Sequence, residues 1–423
     1  MMRTPFYKFD HTIVVAAEKA EKICEEKFVE LDEIRHYNSQ KVLKAFGDHM
    51  VSESHLLGTT GYGYGDRGRD TLDEVVAQCF GCEDALVRHS FVSGTHALST
   101  ALFGILRPGD TMLSISGRPY DTLLEVIGIT DNGDNNGSLK DFGINYDQVD
   151  LLDDGSVDME TVLKKCVGVK MVYLQRSRGY SLRDSLCIDK MEKIFSEIRK
   201  LNKSTCIVVD NCYGEFVEKV EPTDVGADII VGSLIKNPGG GIAETGGYIA
   251  GKRRYVELCA YRLTTVGTGK EVGPSLGQNK NMYMGFFLSP NVVMEAVKTA
   301  VFSAAFFEEL GYEVFPKYDA HRTDIIQGVK LGNVERLIAF CEGVQKGAPI
   351  DSFVRPEPWD MPGYGDPVIM AAGAFHMGAS IELSADAPLR EPYAVWLQGG
   401  VTYPTGRTGI MLAAQSIKDK NLL

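Results

Sequence analysis

The sequence predicts a chain of the α/β class, with a mostly parallel sheet wound with helices in a large domain and a smaller α+β domain at the C-terminus. Apolar runs alternate with amphipathic segments from about residue 85 to residue 236, the order that builds a parallel sheet covered by helices. Because the carboxyl ends of parallel strands meet at one edge, polar residues after the runs should converge there. Those residues are Ser93, Tyr120, Gln175, Asp210 and Lys236.

The chain has 423 residues, more than one hydrophobic core usually serves. Residues 1–57 are predicted to form an N-terminal helical arm, because apolar residues recur at helical spacing among many Glu and Lys. The pattern of strands and helices then defines a large domain over residues 58–288. After residue 288 the pattern changes, so we place the small domain at residues 289–423.

Composition narrows the classes of partner. The net charge of −13 is spread along the chain, which argues against nucleic acid or an anionic membrane as a partner. No apolar stretch is long enough to span a bilayer, so no membrane segment is predicted. The nine cysteines lack paired zinc spacing, which favours free thiols in a reducing cytoplasm and no metal site.

The stretch Ile229-Ile-Val-Gly-Ser-Leu-Ile-Lys-Asn-Pro-Gly-Gly-Gly241 holds the most informative lysine. A buried strand would deliver Ser233 and Lys236 into a loop of small residues. A lysine in that position can form a Schiff base with a carbonyl cofactor, while the glycines leave room for it. A turn with an incidental lysine explains the same stretch, and the stretch alone leaves both interpretations open.

Asp210 follows an apolar strand and is the natural partner for Lys236. A buried carboxylate stays ionised when it faces a cation, such as the pyridinium nitrogen of pyridoxal phosphate. A metal ligand or a helix cap remains an alternative. Tyr120, in another strand-to-helix loop, could stack on a flat ring or pack against a neighbouring loop.

Two segments could bind a phosphate. Ser93-Gly94-Thr95 begins a helix after a strand, where free N–H groups and hydroxyls bind anions, although simple helix capping also explains it. The loop of residues 58–71 interleaves glycines with phenol and guanidinium donors, and its alternative is a flexible surface loop. Its donors are Tyr62, Tyr64, Arg67 and Arg69.

Arginines are the candidates for binding a substrate carboxylate, because the guanidinium group matches carboxylate geometry. Arg390 and Arg407 lie in the predicted small domain, and Arg178 lies in the segment Gln175-Arg-Ser-Arg-Gly-Tyr180. A surface salt bridge is the alternative for each arginine taken alone.

Together these motifs resemble a known family. Ser93-Gly-Thr, Asp210 and Ser233-Leu-Ile-Lys236 are similar to the fold type I, aminotransferase-like enzymes that use pyridoxal phosphate, and within them to the transsulfuration lyases. The resemblance is strongest to the methionine gamma-lyase-like group, also called aluminium resistance proteins, and runs over nearly the whole chain. It includes Gly61-Tyr-Gly-Tyr, Pro119-Tyr-Asp-Thr-Leu and Gln398-Gly-Gly-Val-Thr-Tyr.

The resemblance implies a pyridoxal-phosphate-dependent carbon–sulfur lyase acting on an amino-acid substrate: methionine, cystathionine or cysteine. Lys236 would hold the cofactor and shuttle protons, Asp210 would protonate its ring nitrogen, and Tyr120 would stack on the ring. Ser93, Gly94, Thr95 and Ser233 would bind its phosphate. Tyr64 and Arg69, or Arg67, would come from a partner chain of a homo-oligomer, a dimer with shared active sites that assembles as a tetramer.

Three residues depart from the well-studied lyases: Ile235 and Asn237 flank the lysine, and Arg67 is offset by one position. Two alternatives therefore stay open. The same scaffold could serve an aminotransferase, an aldolase or a desulfurase. A non-catalytic stress protein that sequesters metal is the alternative from a different class.

Overall fold

A computed structural model of the protein describes residues 6–130, 136–361 and 365–423. Its helices are α1 (His11–Ile23), α2 (Glu25–Asp48), α3 (Arg67–Cys79), α4 (Gly94–Ile105), α5 (Asp121–Ile127), α6 (Met159–Lys165), α7 (Ile188–Leu201), α8 (Arg253–Leu263), α9 (Asn279–Glu309), α10 (Val334–Lys346) and α11 (Tyr403–Asp419). Its strands are β1 (Asp84–Arg88), β2 (Thr111–Ser114), β3 (Asn145–Gln148), β4 (Met171–Gln175), β5 (Cys206–Asp210), β6 (Ile229–Ser233), β7 (Gly247–Gly251), β8 (Glu313–Phe315), β9 (Gln327–Lys330), β10 (Val368–Ala371), β11 (Ser384–Pro388) and β12 (Ala394–Gln398).

The larger sheet has the strand order β1-β7-β6-β5-β4-β2-β3. Neighbours from β6 to β3 are parallel, and β7 runs against both β1 and β6. All five residues of β4, of β5 and of β6 are buried, as expected for a sheet covered by helices on both faces. The carboxyl ends of these strands therefore form one edge, where ligands bind in such sheets.

The second sheet is antiparallel, with the order β10-β11-β12-β9-β8. The long helix α9 connects the sheets, packing on the segment after Lys236 and on β8 and β9. The domain boundary predicted at residue 288 falls inside this helix. Helices α1 and α2, the predicted arm, pack on α9 of the same chain and bury Ile13, Leu31 and Val42.

The predicted fold class is confirmed, and the differences are at element ends. The strand expected around residues 142–146 is β3, which begins at Asn145, because residues 139–143 form turns. The helix expected from Val292 begins earlier, at Asn279, and carries Pro290 inside it. Part of the polar loop predicted over residues 131–154 lies outside the described residues. Within the described segments, no helix is long and apolar enough to cross a membrane.

Candidate active site

A cavity of about 290 Å³ opens at the carboxyl edge of the large sheet, and the second sheet covers it. Lys236 follows β6, Asp210 ends β5, and Tyr120 precedes α5, so successive strand ends supply the wall. The structure brings together seven predicted residues, which all line this cavity: Ser93, Gly94, Thr95, Tyr120, Asp210, Ser233 and Lys236. Residues from the second sheet close it, among them Met370, Ser384, Asp386 and Gln398.

Lys236 and Asp210 are electrostatically coupled inside this cavity. Burial lowers the pKa of Lys236, but Cys212, Tyr213 and Asp210 raise it, and the net direction is upward. Burial raises the pKa of both the Cys212 thiol and the Tyr213 phenol, so these groups are neutral at neutral pH. Asp210 is therefore an anion that favours the protonated form of Lys236.

Burial also raises the pKa of Asp210, while Lys236 and the Cys212 groups counteract that rise. One carboxylate oxygen accepts the backbone N–H of Cys212 at 3.1 Å, and the other accepts the Tyr173 hydroxyl at 3.4 Å. These donors hold the carboxylate at the strand end. The nearby positive charge of Lys236 also favours the ionised form of this carboxylate.

Tyr213 is a site residue that sequence reasoning missed. Its ring lies beneath the Lys236 amine, with Nζ 3.9 Å from the ring centroid, and its phenol interacts electrostatically with the same amine. The backbone of Tyr213 has a φ of 73°, a left-handed conformation that costs a bulky residue about 1–3 kcal/mol. The proximity of Tyr213 to Asp210 in the chain was visible in the sequence, but this conformation was not.

The start of α4 fits a phosphate group. Ser93 caps the helix by accepting the His96 N–H at 3.0 Å, and the first-turn N–H groups have no acceptor within the helix. A Cβ added at Gly94 would lie 3.4 Å from Ser233 Cβ, so the helix start lies directly against β6. Hydroxyls of Ser93, Thr95 and Ser233 thus share one corner of the cavity.

Three buried polar atoms in the cavity wall have no hydrogen-bond partner among the described residues: Gln175 Oε1, Ser380 Oγ and Ser384 Oγ. An unpaired buried polar group costs about 1–3 kcal/mol, and a polar ligand would remove that cost. The lysine amine, the facing carboxylate, the aromatic wall and the hydroxyl-lined helix start together match the groups that pyridoxal phosphate needs. The residues present therefore fit this cofactor.

A second cavity, of about 630 Å³, adjoins the first and shares Tyr120 and Gln175 with it. Arg178 and Arg390 both line it. Arg178 is 4% exposed and contacts Asp324, and its Nη1 has no hydrogen-bond partner among the described residues. Arg390 is nearer the surface and pairs with Asp366 at 2.8 Å.

Arg407, the other arginine predicted to bind the substrate, lines neither cavity. It sits in α11, pairs with Glu21 of α1 at 3.0 Å and stacks on Phe302. These contacts hold α11 against α1 and α9.

The loop that carries Tyr64 lies outside both cavities of its own chain, and its role toward a partner chain stays a prediction. Tyr64 is 65% exposed, and Arg67 is also exposed. Arg69 is 2% exposed, because its guanidinium donates to the carbonyls of Gly63 and Gly273 and pairs with Asp70. Within this loop Arg67, not Arg69, therefore has its charged group available to another chain.

The loop after Lys236 is held tightly against α9. A Cβ at Gly285 would lie 2.2 Å from the carbonyl oxygen of Gly239, and one at Gly240 would lie 2.5 Å from that of Gly285. Ser289 adds a hydrogen bond of 2.6 Å to the carbonyl of Asn237. The glycines of this loop therefore allow two backbones to approach closely and fix the position of the lysine.

Distant solved structures share the fold of this chain. The fold is shared with the pyridoxal-5'-phosphate-dependent protein YhfS of Escherichia coli, at a TM-score of 0.61 and 15% identity over 92% of this chain and 97% of that one. It is also shared with CalE6, a methionine gamma lyase of Micromonospora echinospora. The TM-score is 0.55 and the sequence identity is 18%, over 86% of this chain and 93% of that one. The chain therefore has the fold of the fold type I pyridoxal-phosphate enzymes.

The family model described as methionine gamma-lyase matches residues 13–418, so the chain belongs to the methionine gamma-lyase family. A Clostridium acetobutylicum structure, provisionally named a cystathionine beta-lyase involved in aluminum resistance, is 51% identical over 97% of this chain and 96% of its own, with a TM-score of 0.94. A carbon-sulfur lyase involved in aluminum resistance from Clostridium novyi NT is 51% identical over the same shares, at 0.93. The uncharacterized protein YnbB of Bacillus subtilis is 50% identical over 93% of this chain and 94% of its own.

Proposed function

We propose that this protein is a pyridoxal-phosphate-dependent carbon–sulfur lyase that acts on a sulfur amino acid, namely methionine, cystathionine or cysteine, by elimination. One observation carries the proposal: Lys236 and Asp210 leave neighbouring strands and meet in one cavity beside the start of α4. Family membership and the shared fold support the same conclusion.

The cavity offers each part of the cofactor a matching group. Lys236 would hold its carbonyl carbon, Asp210 its ring nitrogen, and Tyr120 one face of its ring. Ser93, Gly94, Thr95 and Ser233 would bind its phosphate. When bound, pyridoxal phosphate supplies a carbonyl that condenses with amines and a ring that withdraws electrons from the substrate Cα.

Lys236 would act on protons during elimination. With Asp210 committed to the ring nitrogen, the negative charge acting on Lys236 would fall, so the lysine would give up its proton more readily and become a neutral amine. After an incoming amino acid releases it, that amine can take a proton from substrate carbon and deliver one where the product requires it. The Tyr213 side chain, whose ring centroid lies 3.9 Å from the amine, would keep the amine pointed at the reacting atoms.

Arg178 is the best candidate for the substrate carboxylate. Its Nη1 is buried without a hydrogen-bond partner in the described chain, and the cavity it lines continues past Tyr120 from Lys236. A carboxylate would complete the hydrogen bonds of this guanidinium. Arg390 lines the same cavity but already pairs with Asp366, so it comes second.

We also propose a homo-oligomer, with Tyr64 and Arg67 reaching the cofactor phosphate of a partner chain. The exposure of both side chains supports this arrangement. All nine cysteines, which lie within the described residues, are free, and this supports a reducing compartment such as the cytoplasm.

The first test is the visible absorbance of the purified protein after addition of pyridoxal phosphate. The wild type is expected to gain the band of a lysine-bound cofactor, and Lys236→Ala is expected to lose it, because no other amine lines the described cavity. Lys346→Ala, an exposed lysine on α10, is the control and should keep the band. A wild type that stays colourless would overturn the proposal.

The second test separates the reactions that one scaffold supports. Methionine, cystathionine and cysteine would each be assayed for release of ammonia, an oxoacid and a sulfur product, which is a thiol from the first two and hydrogen sulfide from cysteine. Release of all three products from one substrate supports a lyase. Conversion of the cofactor to its amine form without release of ammonia would identify an aminotransferase instead.

A further inference from the structure

A second carboxylate, Asp386, faces the Lys236 cavity from the small domain. Side chains alternate along β11: Ser384 and Asp386 line the cavity, while Ala385 and Ala387 are fully buried on the opposite face. Asp386 is close enough to Lys236 and Tyr213 to influence the titration of both. Its position is therefore fixed by strand geometry and directed at the reacting centre.

Two donors hold the Asp386 carboxylate. The Tyr180 hydroxyl, from the loop after β4, donates to Oδ2 at 2.9 Å. The side-chain amide of Gln398, at the end of β12, donates to the same oxygen at 2.9 Å. Two donors on one oxygen suit an ionised carboxylate, and they leave Oδ1 for another partner.

Once the cofactor is bound, the carboxylates that line the cavity outnumber its lysine. Among the described lining residues, Lys236 is the cation, and Asp210 and Asp386 are the carboxylates. The proposed function assigns Asp210 to the ring nitrogen and commits Lys236 to the cofactor. Burial raises the pKa of Asp386 and Lys236 counteracts that rise, so this carboxylate then needs a new cation nearby.

The site also has room for a long side chain. The adjoining cavity of about 630 Å³ begins at Tyr120 and Gln175, and Tyr180, which donates to Asp386, lines it. The same cavity would take the α-carboxylate at Arg178, and its volume leaves room for the far half of a long side chain beside the Tyr180–Asp386 pair. Cysteine would fill little of it.

We propose that Asp386 binds a second ammonium group at the far end of the substrate side chain. Preferred substrates are then sulfur amino acids whose sulfur joins two amino-acid halves, such as cystathionine or cystine, and not methionine. This inference rests on the proposed function for the reaction, but the binding preference can be measured without the reaction.

The test compares two amino acids that contain no sulfur, L-lysine and L-norleucine, because they differ by the terminal ammonium group. Their affinities for the cofactor-loaded protein are measured by calorimetry. The wild type should bind lysine about tenfold to a hundredfold more tightly, the usual range for a hydrogen bond to a charged group. Asp386→Asn should remove most of this preference and leave the affinity for norleucine within about threefold.

Glu313→Gln is the matched control, a carboxylate-to-amide change on the exposed edge strand of the same sheet. It should keep the lysine preference. Visible absorbance and thermal unfolding of each variant report whether the cofactor and the fold are retained. If Asp386→Asn fails to fold, the affinities of the wild type for lysine and norleucine still test the inference. Equal affinities, or a higher affinity for norleucine, overturn it.

Activity provides a second readout. Asp386→Asn should lower kcat/KM for cystathionine about tenfold or more and change that for S-methylcysteine little. Equal losses of kcat/KM for both substrates would show that Asp386 has a general positioning role, and would overturn the proposed specificity. If the wild type cleaves neither these two substrates nor methionine nor cysteine, the proposed function fails, whereas the lysine-to-norleucine ratio still tests Asp386.

Discussion

At the scale of single residues, the protonation state of Lys236 is the controlling property. A lysine must be neutral to attack a carbonyl, yet here a facing carboxylate raises its pKa. Lys236 can become neutral and reactive if a ligand competes with it for Asp210. Binding of a cationic ring would then lower the pKa of the lysine, so ligand binding and activation of the amine become one event.

Tyr213→Phe should separate the ring from the hydroxyl at this lysine. The ring still fills the space 3.9 Å from Nζ, so the cofactor band should persist. Without the hydroxyl the amine is less well oriented for proton transfer, and kcat should fall about tenfold with a smaller change in KM. Tyr261→Phe, whose hydroxyl contacts Glu257 at the surface, is the control. An unchanged kcat would show that the hydroxyl has no part in the reaction.

At the scale of elements, the start of α4 and the end of β6 form the corner predicted to bind phosphate. The helix contributes N–H groups and two hydroxyls, and the strand contributes Ser233. Gly94 keeps this corner open, because its missing side chain would point at Ser233 and Cys212.

Gly94→Ala should therefore weaken cofactor binding without harming the fold. The added methyl group meets atoms at 3.4 and 3.5 Å, which is ordinary contact, and alanine favours the helical backbone by up to about 1 kcal/mol. Thermal unfolding of the cofactor-free variant should be unchanged or slightly raised. The dissociation constant for pyridoxal phosphate, from absorbance titration, should rise about tenfold. The control is Gly47→Ala in α2, where a Cβ meets nothing within 4 Å.

The central elements of the large sheet could be predicted because β4, β5 and β6 are apolar runs that a polar residue ends. That pattern located Ser93, Asp210 and Lys236 before any coordinates, and the structure brings all three to one cavity. Asp386 was not recognised, although Ser384-Ala-Asp-Ala-Pro alternates as a strand should. The sequence cannot show that this strand belongs to a second sheet folded back over the first.

At the scale of the whole molecule, a buried polar network underlies the active site. Glu215 accepts a hydrogen bond from Tyr248 at 2.8 Å, and its backbone carbonyl accepts the Asn237 side chain at 3.0 Å. Beside it, Arg176 is fully buried with Glu221 and Asn211. Burial raises the pKa of Glu215 to about 8 from an ordinary 4.5, so the folded protein keeps this carboxyl protonated at neutral pH.

This network predicts a pH-dependent stability. The unfolded chain releases the Glu215 proton near pH 4.5 and the folded chain near pH 8, so the contribution of that proton is full below 4.5 and lost as pH rises through 8. Relative to Glu215→Gln, the wild type should therefore lose stability between pH 5 and 8, by at most about 1.4 kcal/mol per pH unit.

Thermal unfolding midpoints of both cofactor-free proteins across this range would measure the effect. Glu313→Gln, at an exposed carboxylate, should run parallel to the wild type. Parallel curves for Glu215→Gln as well would show that Glu215 is ionised in the folded protein.

The close packing of Gly239, Gly240 and Gly285 also determines where this scaffold can be altered. Backbone atoms fill the space around these glycines, so any larger residue there would displace Lys236 along with the helix. Ser384 and Asp386 instead project from a strand whose opposite face holds the core, so their side chains can change without moving the backbone. Libraries intended to redirect this protein to new amino acids should vary that face of β11 and spare the glycine loop.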